Sequence, residues 1–209
     1  MSGEHARPAR GAFVVFEGGE SVGKSTQAAW LATRQGAELT FEPGGTRLGQ
    51  ELRRLLLDGP GARLDILSEA LLMAADRAQH VAETVRPALE AGRDVVCDRY
   101  IGSSLAYQGY GRGLDVPTVQ LLSEVATGGL WPDLIILLDM DPQRARIRGA
   151  GGSDRFEAMG VDFHRRVRAG YLELASADPA RWTVVDADRP PAEVRDGIAA
   201  LVAERLGWA

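Results

Sequence analysis

Cysteine is nearly absent: one thiol, Cys97, stands in 209 residues. A single thiol closes no internal disulfide, so a reducing compartment fits and a cytoplasmic location is expected. Long apolar runs are missing too, and nothing approaches the roughly 20 residues that cross a bilayer. The first eleven residues, MSGEHARPARG, hold no apolar stretch, so 1–11 reads as a loose N-terminal tail and no membrane partner is expected. Basic charge is not in excess. Lys and Arg total 24 against 29 for Asp and Glu, a formal charge of −5, which argues against a nucleic-acid partner. There is no internal repeat and no long low-complexity linker. What remains is 45% hydrophobic and 25% charged, the balance of a soluble globular chain, long enough for one domain over 12–209.

Glycine is plentiful, and its placement is informative. The stretch Phe16-Glu17-Gly18-Gly19-Glu20-Ser21-Val22-Gly23-Lys24-Ser25-Thr26 follows an apolar run and precedes a helical pattern over 25–33. Gly18, Gly23, Lys24 and Ser25 fit G-x-x-x-x-G-K-[ST], a loop whose N–H groups turn inward around phosphates. The helix that follows adds its positive end. Residues 18–26 are therefore the expected ATP-binding loop. Lys24 is expected on the β- and γ-phosphates, and the Ser25 hydroxyl on Mg²⁺.

Short apolar runs at 12–16, 38–41, 94–97, 134–138 and 182–185 alternate with helical patterns. Strands this apolar suit a parallel sheet covered on both faces. Leu48, Leu52, Leu55 and Leu56 predict an amphipathic helix, and 65–91 reads as one long helix stopped by Gly92. Asp115 with Pro117 marks another start, and 162–177 and 190–206 carry apolar stripes. The expected fold is an open α/β sheet of five parallel strands with helices on both faces. Its ligands would lie beyond the strand C-termini.

The unusual residues stand there. Glu42 opens Glu42-Pro43-Gly44-Gly45-Thr46 after the second strand and is a candidate for holding a hydroxyl or a metal-bound water. Asp98 and Arg99 end the third, an acid for metal-bound water beside a planar fork for a phosphate. Met73, Arg77 and His80 recur at helical spacing and could face a nucleobase, although a lone histidine is more often structural. After the fourth strand, Arg144, Arg146 and Arg148 precede Gly149, Gly151 and Gly152 and then Asp154-Arg155-Phe156-Glu157. Three arginines two residues apart cannot share one helical face. Before a glycine-rich hinge they read as a cationic flap, or lid, over about 143–157, suited to phosphoryl transfer.

Together FEGGESVGKSTQ, EPGGTRLG, ALLMAADRAQH, DRYIGSSLAYQG, PDLIILLDMDP, RARIRG…DRFE and YLELA resemble the thymidylate kinase family over about 13–206. The resemblance implies a P-loop fold with strand order 2-3-1-4-5, a mobile lid, ATP and Mg²⁺ with dTMP as acceptor, and a homodimer. It also implies site roles. Glu20 would meet the deoxyribose 3′-hydroxyl, and Arg99 the dTMP phosphate, with Asp98 beside the metal. Arg77 would meet the thymine edge. Ser103 and Gln108 would line the base pocket, and Tyr107 would lie under the sugar. With Ser21 at the P-loop position that carries arginine in one branch, the chain is similar to the lid-arginine type. Arg148, then Arg146, becomes the expected catalytic arginine, alongside Lys24 and Arg99. Phe41 stands where arginine commonly precedes the Glu42 turn, and Met73 replaces an aromatic that stacks on thymine. These two leave a kinase for another or modified pyrimidine deoxynucleotide, or a paralog with weakened catalysis, as alternative expectations.

Overall fold

The computed structural model describes residues 10–57, 64–149 and 155–208. Five strands, β1 (Phe13–Gly18), β2 (Glu38–Phe41), β3 (Val95–Asp98), β4 (Leu134–Asp139) and β5 (Trp182–Asp186), form one parallel sheet in the order β2-β3-β1-β4-β5. This is the expected order. The central strands β1 and β4 and most of β3 are buried on both faces, whereas edge strands β2 and β5 alternate between buried and accessible positions. Alternation along each strand feeds two cores. Phe13, Val15, Val95, Cys97, Ile135 and Leu137 belong to one. Val14, Phe16, Val96, Leu134, Ile136 and Leu138 belong to the other.

The first core is closed by α2 (Arg47–Leu57), α3 (Ile66–His80), α4 (Arg86–Glu90), α5 (Ile101–Ser104), α6 (Val116–Thr127) and α8 (Val161–Ala177); the second by α1 (Lys24–Gln35), α7 (Pro142–Arg148) and α9 (Pro191–Leu206). Asp65, Asp115 and Asp141 cap α3, α6 and α7 by accepting from backbone N–H groups of the first turn. The helix expected over 65–91 is instead three pieces, because a π-helical turn, Val81–Val85, separates α3 from α4. Pro87 in the first turn of α4 supplies no N–H, which weakens a regular α ladder there. A second π-helical stretch, Leu105–Gly111, extends α5 and carries Tyr107 and Gln108 inward.

The leucine stripe of α2 is also revised. Leu56 is buried, but Leu48 and Leu55 face outward, and Gly49 and Leu57 take the core positions. Of the expected lid, α7 and residues 155–157 are described, while Gly151, Gly152 and Asp154 lie outside the described residues, as do 1–9 of the expected tail.

Candidate active site

β1 sits between β3 and β4, so the chain leaves it in both directions and a crevice opens at its C-terminal end. A cavity of about 710 Å³ lies there. The 18–25 loop forms one wall. Gly18 has φ 141°, and a Cβ on it would stand 2.4 Å from the Leu138 carbonyl oxygen, so only glycine permits this contact with β4. Ser21 holds φ 58°, a left-handed conformation uncommon for serine. Lys24 begins α1, and its Nζ donates to the Gly19 carbonyl at 2.5 Å. Burial, and then the nearby Arg99, bring the Lys24 ammonium down to about 8 against the pull of Glu20, Asp98 and Glu17.

The Ser25 hydroxyl donates to Asp98 Oδ2 at 2.5 Å, while the buried Asp98 Oδ1 has no hydrogen-bond partner. An orphaned carboxylate oxygen beside a hydroxyl fits a hard cation such as Mg²⁺. Among the described residues no three acidic, histidine or cysteine side chains cluster as metal ligands.

Opposite stands Arg99, also left-handed at φ 72°. Its NH2 donates to both Glu20 oxygens at 2.8 Å, and its NH1 to the Gly18 carbonyl and the Ser103 hydroxyl. The guanidinium lies over the Tyr107 ring at 5.2 Å, and the Tyr107 hydroxyl donates to Glu20 at 2.6 Å. Burial alone would raise the Glu20 carboxyl, but Arg99 and Lys24 overcome it and bring it down to about 2. The bend after β3 is held by Glu17, whose oxygens accept from the Tyr100 and Ser103 amides and from the Ser103 and Tyr171 hydroxyls. Four bonds satisfy this buried carboxylate, although burial still raises its pKa.

The third wall comes from α3. Arg77 donates through Nε to Glu42, through NH1 to Ser123, and through NH2 to Ser104 and the Tyr100 carbonyl. His80 Nδ1 bonds the other Glu42 oxygen, and its Nε2 meets Thr40. Glu42 thus orients Arg77 and His80 while lining the cavity. His80 is structural. Met73, Gln108 and Tyr107 line the cavity, and Phe41 lies at its side under Arg53.

The structure therefore brings Glu20, Ser21, Gly23, Lys24, Ser25, Thr26, Phe41, Glu42, Met73, Arg77, Asp98, Arg99, Ser103, Tyr107, Gln108 and Arg148 to one cavity. Gly19, Val22 and Arg146 line a neighbouring cavity behind the loop, and Glu20 and Ser21 border both. Arg148 donates to the Ala187 carbonyl at 2.8 Å. Sequence reading missed Glu17, Glu69, Asp76, Ser104 and Tyr171. Glu69 alone left a usable signal, four residues before Met73 and eight before Arg77 on one helical face. Asp76 also lines the cavity. It accepts from the Gly44 amide through Oδ1, its Oδ2 has no partner, and burial, then Glu42, push it up to about 6.

A glycine-bearing loop ahead of a helix N-terminus and an arginine in the same cavity suit phosphorylated ligands. Comparisons with known proteins agree. The sequence profile of the family "Thymidylate kinase" matches residues 16–198. The thymidylate kinase of Solidesulfovibrio magneticus is 50% identical over 208 residues, covering 93% of this chain and 100% of its own. That of Deinococcus radiodurans is 49% identical over 205 residues, covering 94% and 98%. The crystal structure of thymidylate kinase from Ehrlichia chaffeensis superposes with a TM-score of 0.74 at 31% identity, over 92% of this chain and 98% of that one. With the family profile over residues 16–198, relatives near 50% identity and the sheet order in agreement, the chain belongs to the thymidylate kinase family.

Proposed function

We propose that this cavity carries out in-line transfer of the ATP γ-phosphoryl group to the 5′-phosphate of dTMP, giving dTDP and ADP. Family membership makes the protein an ATP-dependent nucleoside-monophosphate kinase acting on dTMP. The residue roles go beyond family membership. The observation that carries them is that Lys24 and Arg99 line one cavity and both act on Glu20, which Arg99 also hydrogen-bonds. Lys24 and the loop amides hold the donor phosphates, and Arg99 holds the acceptor phosphate. Arg148 reaches the same cavity from α7 to neutralise charge on the transferring group. The acceptor phosphate is already anionic, so no protein base is needed. Ser25 and Asp98 would hold Mg²⁺, which supplies charge neutralisation at the phosphates when bound. Met73, Arg77, Ser103 and Gln108 seat the base, and Tyr107 and Glu20 the sugar.

Further partners follow from the surface. Leu48 and Leu55 on α2, Leu67 and Leu71 on α3, and Leu121 and Val125 on α6 are exposed on helices that pack side by side. Such an apolar face suits a second copy of the chain, hence a homodimer. No described helix is long and apolar enough to cross a membrane. The lone, buried Cys97 fits a cytoplasmic setting.

ADP release from Mg²⁺-ATP, measured against dTMP, dUMP, UMP, dCMP and dGMP with a no-acceptor control, tests the reading. Preference for dTMP is expected. Preference for another pyrimidine monophosphate keeps the chemistry and moves the substrate, an outcome to which Met73 and the exposed Phe41 lend specific weight.

A further inference from the structure

Glu69 is fully buried in the first turn of α3 and does not border the cavity. It is nevertheless bound to one residue that does, Gln108. Gln108 Nε2 donates to its Oε1 at 2.9 Å. Arg112 donates to both oxygens, through Nε at 3.3 Å and NH2 at 2.8 Å, and Arg155 NH2 donates to Oε2 at 2.5 Å. One carboxylate therefore joins three separate parts of the chain: helix α3, the π-helical stretch that carries Tyr107 and Gln108, and the residue just after the 150–154 segment.

Two consequences follow from the chemistry of the donors. The Glu69 oxygens accept from two guanidiniums and from the Gln108 amide, which therefore turns its NH₂ toward Glu69 and its oxygen away. Glu69 thereby fixes which end of the amide faces the cavity. The second consequence concerns the lid. The Arg112 and Arg155 guanidiniums both lie over the Phe156 ring, at 5.7 and 5.1 Å, and Phe156 meets the Tyr107 ring edge-on at 5.6 Å. Tyr107 in turn donates to Glu20, the partner of Arg99. The foot of the lid is thus packed against the residues that seat the base and sugar, and Glu69 is the charge that holds the cluster together. Without it two arginines would face each other with no anion between them.

We propose that Glu69 is a positioning residue for this reaction, one that couples seating of the pyrimidine nucleotide to the placement of Arg155 and Phe156 through Gln108 and Arg155. The proposal rests on the reading of the cavity as the dTMP site. Because Glu69 touches no substrate, its effect travels through two residues whose contributions separate. Gln108 acts on dTMP KM, and Arg155 on kcat.

The test uses the full chain and the variants Glu69→Gln, Glu69→Asp, Arg155→Ala and Arg155→Lys, with dTMP and ATP varied separately. Glu69→Gln is expected to raise dTMP KM about tenfold and lower kcat several-fold, since hydrogen bonds to a charged group are lost at both ends. Glu69→Asp recovers part of both. Arg155→Ala lowers kcat with little change in dTMP KM, and Arg155→Lys recovers part of it. Hydrogen exchange supplies a readout that a mere brace would not move. Addition of dTMP is expected to slow exchange over 156–160 in the wild type, and this slowing is lost in Glu69→Gln and Arg155→Ala. Unchanged dTMP KM and persistent dTMP-dependent slowing in Glu69→Gln, with only a lower Tm, would overturn the inference. Should Glu69→Gln not fold, slowing that persists in Arg155→Ala overturns it equally. A wild type that turns over dTMP while these variants behave like it leaves the function standing and removes the coupling. A wild type inactive on dTMP removes both.

Discussion

Arg99 donates to both carboxylate oxygens of Glu20 at 2.8 Å, so the cation proposed for the acceptor phosphate is tied to an acid on the 18–25 loop. Because the Glu20 carboxyl is held at about 2, the pairing persists throughout the range in which the enzyme is assayed. Under the proposed roles an incoming acceptor phosphate would meet an arginine already oriented by Glu20, Gly18 and Ser103.

Arg99→Lys keeps the charge and loses the planar fork that bonds Glu20, the Gly18 carbonyl and Ser103 together. The expected result is a fall of about 10²-fold in kcat/KM for dTMP, equal to the loss of about two charge-assisted hydrogen bonds. Retention of wild-type kcat/KM in steady-state assays would remove Arg99 from the acceptor site.

Lys24 makes the nucleotide-free enzyme sensitive to alkaline pH. Its ammonium, lowered to about 8 mainly by burial, binds phosphate only when protonated. The protonated fraction falls as pH rises through about 8, so kcat/KM for ATP should decline above that pH and stay level just below it. A pH profile of kcat/KM, with Arg99→Lys as a second enzyme, checks this. A flat profile to pH 9.5 would contradict it.

Arg148 and Arg146 stand on one short helix but border different cavities, Arg148 the nucleotide cavity and Arg146 the one behind the loop. Arg148→Ala is expected to lower kcat by about 10³-fold, the scale of an arginine finger, and Arg146→Ala by far less. Single-turnover rates of both variants decide the assignment.

Ser21 and Gly149 are in close approach across the base of the lid. A Cβ on Gly149 would lie 2.6 Å from the Ser21 Cβ and 2.2 Å from its hydroxyl. Gly149→Ala should therefore displace α7 and lower kcat roughly tenfold, as small misplacements of catalytic groups do. Adding Ser21→Gly should restore most of it. Alone, Ser21→Gly relieves a left-handed serine worth about 1–2 kcal/mol, against an unfolded-state cost of about 0.5–1 kcal/mol for glycine. A small rise in Tm is expected by thermal unfolding, and a fall would contradict the account.

Asp76 is a buried acid raised to about 6 by burial and by Glu42. The folded state therefore holds its proton more tightly than the unfolded chain, whose carboxyl ionises near 4. Stability from this group is present below pH 4 and is lost as pH rises through 6. Asp76→Asn removes the penalty while keeping an acceptor for the Gly44 amide. It should stabilise the protein at pH 8 by up to about 3 kcal/mol and by little at pH 4, from the usual conversion of pKa shift to free energy. Urea unfolding at the two pH values gives the comparison.

How much of this was legible beforehand depended on distance along the chain. The phosphate loop, the five strands and their C-terminal acids and cations are local patterns. Spacing and alternation within a dozen residues announce them, because neighbouring side chains share a strand face or a helix turn. Arg99 and Asp98 could be read for that reason, as could the helix start at Asp115. Longer-range pairings could not be. Glu42 was a candidate for holding a hydroxyl or a metal-bound water, but its bonds to Arg77 and His80, 35 and 38 residues away, were not foreseen. Leu48 and Leu55 were read as part of an apolar stripe, yet both are exposed where α2 packs against α3. The helical face of Glu69 could be read, but not its partners 39, 43 and 86 residues away, nor the contact of Glu17 with Tyr171 across 154.

By itself the sequence determined the strand and helix periodicities, the phosphate loop and the residue types at the strand ends, since each depends on neighbours along the chain. The tertiary structure alone decided which carboxylate meets which guanidinium. Those pairings form only when parallel crossovers bring distant segments to one end of the sheet, and burial then makes an unpartnered charge too costly to keep.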